Sequence, residues 1–232
     1  MMKKLLVCLL MLVTVIGLTG CGKKEVEETD ALKFKKEYES MNGEEVYGKT
    51  VRELDIPEDN PFVYATAEEV VKMIDNKETF AVYFGFSSCP WCRAALPTLI
   101  EVAGDLGMDK IYYVDVKEIR NVLEVKDGKV TTKTEGSKGY MDLLERLDKV
   151  LADYELKDDK GKVVDTKMKR IYAPNIVGVV NGKAEKLTDG TSEKLTDPFG
   201  EIDKKMKKDA YEKIECTLEC VASTNNVCDK NC

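Results

Sequence analysis

The chain has 232 residues, 43% of them hydrophobic and 34% charged, enough to close one core of ordinary size without metal or disulfide support. Its formal charge of −7 favours solubility and carries no electrostatic footprint for nucleic acid. Histidine is absent, which excludes imidazole acid–base catalysis, Cys-His and Ser-His nucleophile pairs, and any metal site that needs imidazole. Chemistry must therefore rest on cysteine, carboxylate, lysine, tyrosine or the backbone.

Met1 to Lys4 is a short basic start, and Leu5 to Leu18 is an apolar run too short for a comfortable transmembrane helix. Together they fit a signal peptide over residues 1–20. The run ends in Leu18-Thr19-Gly20-Cys21, which resembles the lipobox of bacterial lipoproteins. The resemblance implies that Cys21 is lipidated and becomes the mature N-terminus, and that Cys8 is discarded with the leader. Two acyl chains there would anchor the protein stably where one would not. An ordinary signal peptide with an incidental cysteine is the other reading. Residues 21–30 are polar and charged, as a tether should be. The expected location is the extracytoplasmic face of a bacterial cell membrane, where disulfides form and persist.

Residues 31–61 read as an N-terminal extension. Leu32, Phe34, Tyr38 and Met41 predict a short amphipathic helix over Ala31 to Asn42, and a loop with Asn60-Pro61 follows. Phe62 to Ala65 is a short strand. Thr66 with Glu69 three residues on is a capping-box pattern opening a helix to about Ile74. Thr79 to Phe86 is continuously apolar, as a strand covered on both faces would be. The Ser87–Cys92 turn leads into a helix to about Gly107, and Lys110 to Val116 is another buried-type strand. Over 117–170 the pattern weakens, apart from an expected helix Lys138–Leu151 and a turn at Asp158–Lys162 between two short strand-like pieces. Asn175 to Val180, the Asn181-Gly182 turn and Ala184 to Leu187 form a predicted hairpin. A last helix should run from about Ser192, or from beyond Pro198, to the region of Cys220. The alternation is that of an α/β domain.

Of the eight cysteines, six remain after Cys8 and Cys21. Cys89-Pro90-Trp91-Cys92 follows a buried strand and opens a helix. There the unpaired N–H groups and the helix dipole lower a cysteine's pKa and favour the nucleophilic thiolate. Pro90 suits the first helical turn, and i to i+3 spacing brings both sulfurs to one face. Cys89 is the expected nucleophile and Cys92 the resolving thiol. A short structural disulfide, or half of a zinc site, are the inert readings of the same motif.

Ala81 to Leu99, with Pro97 inside the helix and Ala173-Pro174 before the Asn175–Val180 strand, resembles the thioredoxin superfamily. Among its members the chain is most similar to the thioredoxin-like proteins grouped with bacteriocin transport accessory proteins. The resemblance spans roughly residues 62–214. It implies a three-layer thioredoxin-like fold with a central mixed sheet, a domain over 62–215 and a cis Pro174 facing Cys89. It also implies that Trp91, Ala173 and Pro174 contact an extended substrate. Two departures stand out. The separation of Cys92 from Pro174 is about twice that of a minimal thioredoxin, which implies an insertion over about 117–170, conceived as a helical cap. The buried acid that the family carries in the strand before the motif is replaced here by Tyr83.

Cys216, Cys220, Cys228 and Cys232 form a twin Cys-x3-Cys pattern in a tail, residues 216–232. Four cysteines permit three pairings. Nested bridges Cys216–Cys232 and Cys220–Cys228 are the expected one, with a four-thiolate zinc site or a redox relay to Cys89 as the other readings.

The expected function is thiol–disulfide exchange, with protein or peptide thiols and disulfides as substrates and a membrane or extracytoplasmic redox partner. No cofactor, metal or nucleic acid is expected. The competing reading is a non-catalytic accessory lipoprotein of an export system.

Overall fold

The computed structural model describes residues 28–126 and 128–223. The signal peptide, Cys21, most of the tether, Cys228 and Cys232 lie outside these residues. No helix among the described residues is long and apolar enough to cross a membrane.

In chain order the elements are α1 (Asp30–Glu39), β1 (Glu45–Val46), β2 (Lys49–Thr50), β3 (Phe62–Tyr64), α2 (Ala67–Asp75), β4 (Phe80–Gly85), α3 (Pro90–Asp105) and β5 (Ile111–Asp115). They continue with β6 (Val122–Lys126), β7 (Lys129–Thr134), α4 (Lys138–Arg146), β8 (Ala152–Lys157), β9 (Val163–Arg170), β10 (Asn175–Val180), β11 (Lys183–Thr188) and α5 (Lys204–Ala222). The architecture is mixed α/β. A five-stranded sheet has the order β11-β10-β4-β5-β3. β3, β4 and β5 run parallel, while β10 is antiparallel to both β4 and β11.

Every residue of β4 and β10 is buried, which explains their unbroken apolar sequence: both faces are covered. The strand's alternation divides the core in two. Ala81 and Tyr83 of β4 join residues of α1, α3 and α5 in one cluster. Phe80, Val82 and Phe84 join residues of α2 and α4 in the other. α5 lies so close to β10 that a Cβ at Gly178 would fall 2.5 Å from the Thr217 carbonyl oxygen.

The segment read as an N-terminal extension is built into the core. α1 is capped by Thr29, whose side chain accepts from the Leu32 N–H, and it buries Phe34 and Tyr38 one turn apart. Phe34 stacks on Phe62 at 4.0 Å and on Tyr38 at 4.5 Å between ring centroids. The buried guanidinium of Arg93 holds the following chain down. Its Nε donates to the Arg52 carbonyl at 2.7 Å, Nη1 to the Tyr38 carbonyl at 2.7 Å, and Nη2 to Asn42 Oδ1 at 2.5 Å. Asn42 in turn exchanges two hydrogen bonds with the Leu54 backbone.

The capping box at Thr66 and Glu69 forms as expected. Two expectations are corrected. The helix expected over Lys138–Leu151 ends at Arg146, because the chain must turn into β8 at Ala152. Leu147 and Leu151 stay buried through that turn. The segment conceived as a helical cap is instead two antiparallel hairpins, β6/β7 and β8/β9, around α4. Of the two starts expected for the last helix, the one beyond Pro198 is found: it begins at Lys204, capped by Asp203.

Arg93→Met keeps the side chain's bulk but leaves its buried acceptors without a donor. It should lower stability by about 2–4 kcal/mol in urea unfolding. A change below about 0.5 kcal/mol would mean that the guanidinium is not what holds the N-terminal segment.

Candidate active site

β4 ends at Gly85, and after four intervening residues the chain re-enters helix at Pro90. Cys89 is the N-cap of α3, with extended backbone, and its sulfur accepts the Cys92 N–H at 3.2 Å. A thiol thus takes the place that a serine or aspartate oxygen normally fills, serving an N–H that the helix cannot satisfy itself. Pro90 stands at the first helical position, and no acidic residue in the first turn opposes a sulfur anion.

The two cysteines are free thiols in different surroundings. Cys89 is 4% exposed, and Cys92 is fully enclosed. The Cys92 thiol, hydrogen-bonded to the Cys89 sulfur, holds the Cys89 pKa below that of an ordinary thiol. The N–H groups of Cys92 and Trp91 and the charge of Arg120 act in the same direction, against the cost of burial. Burial, and then the Cys89 sulfur, push Cys92 well above the ordinary value. An acidified outer thiol and an inner thiol that keeps its proton are the asymmetry that stepwise exchange needs.

The loop before β10 closes the other side. The Ala173–Pro174 peptide bond is cis, and Cys89 Sγ donates to the Ala173 carbonyl at 3.2 Å. Asn175 pins the loop by accepting the Tyr172 N–H at 2.8 Å. Tyr172 stays 39% exposed beside it. Trp91 is half-buried and packs on the core cluster that includes both cysteines. The structure therefore brings Cys89, Cys92, Ala173 and Pro174 together.

Arg120 is a site residue that sequence reasoning missed. It follows β5, its guanidinium lies 5.1 Å from the centre of the Phe86 ring, and its charge acts on Cys89. No motif marks it; only the sheet order, which sets β5 beside β4, could have pointed to it. Tyr83, which the resemblance sets where the family carries an acid, is fully buried, and it draws the Cys92 pKa down against the effect of burial.

The C-terminal cysteines sit elsewhere. Cys216 and Cys220 are disulfide-bonded, and their expected partners Cys228 and Cys232 lie outside the described residues. A Cβ on Gly178 would lie 3.7 Å from the Cys220 sulfur, and Gly178 pairs with Ala81 near the start of β4. Cys89 follows the strand's other end, roughly 13 Å or more away. In this arrangement the two cysteine groups do not touch.

Compared with protein-family models and with curated proteins, the chain matches none.

In the reduced protein, the rate of Cys89 alkylation by iodoacetamide should titrate with a midpoint below the ordinary thiol value of about 8.5. Arg120→Gln should move that midpoint upward. Cys92 should resist the reagent until the protein unfolds. A wild-type midpoint at the ordinary value would contradict the cap-and-charge account.

Proposed function

We propose that this protein is a thiol–disulfide oxidoreductase of thioredoxin-like fold, anchored through lipidated Cys21 to the extracytoplasmic face of a bacterial membrane. The observation that carries the reading is the Cys89 sulfur. It is seated as a helix N-cap on the Cys92 N–H, acidified, and turned toward the Ala173 carbonyl beside cis Pro174. An inert disulfide needs neither the acidified sulfur nor the facing loop. The sheet order, with β4 central and the helices on its two faces, supports the fold assignment.

In the reducing direction, the Cys89 thiolate attacks one sulfur of a protein or peptide disulfide. A Cys89–substrate bond forms, the substrate S–S bond breaks, and the released substrate thiolate takes a proton. Cys92 then loses its proton and attacks the Cys89 sulfur. The Cys89–Cys92 bond forms, the second substrate sulfur leaves as a thiolate, and two electrons have passed to the substrate. Run backwards from the disulfide form, the same steps oxidise a dithiol. Once Cys89 is deprotonated or bonded to a substrate sulfur, the Ala173 carbonyl loses its S–H donor. It then becomes free to accept an N–H from an extended substrate backbone, with Trp91 and Pro174 as further contacts.

Equilibration with graded glutathione or dithiothreitol ratios should reveal a reversible two-electron transition between about −270 and −120 mV. Cys89→Ser should abolish it, and Cys92→Ser should accumulate a mixed disulfide on Cys89. A value toward the upper end assigns an oxidase or isomerase, and one toward the lower end a reductase. A pair that never exchanges would sink the enzyme reading in favour of an accessory module.

A further inference from the structure

Gly178 lets α5 lie directly on β10, where any Cβ would meet the Thr217 carbonyl oxygen at 2.5 Å. The register partner of Gly178 on the edge strand β11 is Lys186. Lys186 thus stands beside the helix, and its Nζ donates to the sulfur of Cys216 at 3.1 Å. Cys216 is disulfide-bonded. A disulfide sulfur is a weak, neutral acceptor, whereas a thiolate is an anion, so an ammonium held here favours the reduced state. The sulfur is also within reach of a reagent. Cys216 is half-buried and, with Lys186, Leu187, Thr188 and Thr217, lines a cavity of about 790 Å³ between β11 and α5. Cys220, one turn further along the same helix, is likewise bonded but fully enclosed. The other charged groups on the cavity are Glu185 of β11 and Asp209, Glu212 and Lys213 of α5. Lys213 lies 3.6 Å from Glu193 and 3.9 Å from Asp209, so it is held by carboxylates.

We propose that the disulfide of Cys216 is a second exchange centre, which accepts electrons from a protein or peptide dithiol entering this cavity. It goes beyond the reading of Cys89 and Cys92 and does not depend on it. One thiolate of the dithiol attacks the Cys216 sulfur from the cavity. A bond from the dithiol to Cys216 forms, the protein disulfide breaks, and the displaced cysteine takes a proton. The second thiolate of the dithiol then attacks the dithiol's own first sulfur. The new S–S bond leaves with the oxidised dithiol, and Cys216 is released as a thiolate beside the Lys186 ammonium. Two electrons have passed to the protein. Of the two protons the dithiol gave up, one is on the displaced cysteine and one has gone to water. Lys186 draws in the anionic nucleophile and stabilises the leaving sulfur, which makes this disulfide the more readily opened of the two. Cys220 has neither the aperture nor the cation, and its bond stays closed as a staple.

The test uses the full-length protein carrying Cys89→Ser and Cys92→Ser, equilibrated with graded ratios of reduced to oxidised dithiothreitol. Free thiols are trapped with iodoacetamide, the remaining disulfides are reduced and marked with a heavier reagent, and cleavage after Glu215 and Glu219 separates Cys216 from Cys220 for mass analysis. Cys216 should open in the folded protein at a lower share of reduced reagent than Cys220. Its exchange constant should rise about tenfold from pH 7 to pH 8, because one proton is released per disulfide opened while the reagent's thiols stay protonated. Lys186→Met should lower the constant at pH 8 by about tenfold or more and leave it nearly flat with pH. Lys186→Arg, which keeps the charge, should restore the slope. Opening of Cys216 only together with Cys220 would overturn the proposal. So would a Lys186→Met constant with the wild-type value and slope, the result expected of a lysine that merely packs on the helix. Failure of exchange at Cys89 in the unaltered protein would strike the oxidoreductase reading and leave this centre standing.

Discussion

A strand covered on both faces has only its two ends exposed to chemistry, and β4 is such a strand. All six of its residues are buried, so the chain can offer a reactive group only where the strand gives way to α3. That junction is also where a helix has unpaired N–H groups to offer. The same burial fixes the direction of each side chain: Tyr83 must point to the α1/α3/α5 face and Phe84 to the other. The position of Cys89, the seclusion of Cys92 and the placement of Tyr83 beneath them all follow from one constraint, the double coverage of β4.

Covering one of those faces requires α1. Without Phe34 and Tyr38, the aromatic surface of β3, β4 and β5 would be open on the side that carries Cys92. Arg93 sits in the helix of the cysteine motif, one residue past Cys92, and binds the Tyr38 and Arg52 carbonyls and Asn42. A buried cation satisfied by neutral acceptors gives up hydration for several charge-assisted hydrogen bonds at once. It therefore ties the N-terminal segment to the motif helix more specifically than apolar packing alone. The segment before the α/β core and the cysteine helix stand or fall together.

The elements legible in the sequence were those with a strong burial contrast. β4 and β10 read as unbroken apolar runs because both faces are covered, β5 read as a largely buried strand, and α2 announced itself through Thr66 and Glu69. The hairpin β6/β7 was illegible because its strands are largely exposed, as in Lys129–Thr134, so their residues need not alternate, whereas the Asp158–Lys162 turn between two strand-like pieces marked β8/β9. Local signal also overran the end of α4, since Leu147 and Leu151 keep helical spacing while the turn into β8 buries them by another route. At the candidate site the cysteines and Ala173-Pro174 were visible because backbone chemistry restricts which residues can stand there. Arg120 and Arg93 were not, because each reaches its place through tertiary packing.

Two sulfurs three residues apart thus come to differ by environment alone. Cys89 lies at the helix tip, where N–H groups, a shared proton and the Arg120 charge favour the anion. Cys92 lies one turn deeper, where enclosure favours the neutral thiol. This division suits a nucleophile and its resolver, but it carries a cost of its own. The deeper the second sulfur is set, the better Cys89 is protected from premature disulfide closure, and the harder it becomes for Cys92 to ionise without water. A carboxylate beside the sulfur would relieve this directly while adding another buried charge to the core. Tyr83, a neutral side chain enclosed on the same face of the sheet, spares the core that charge.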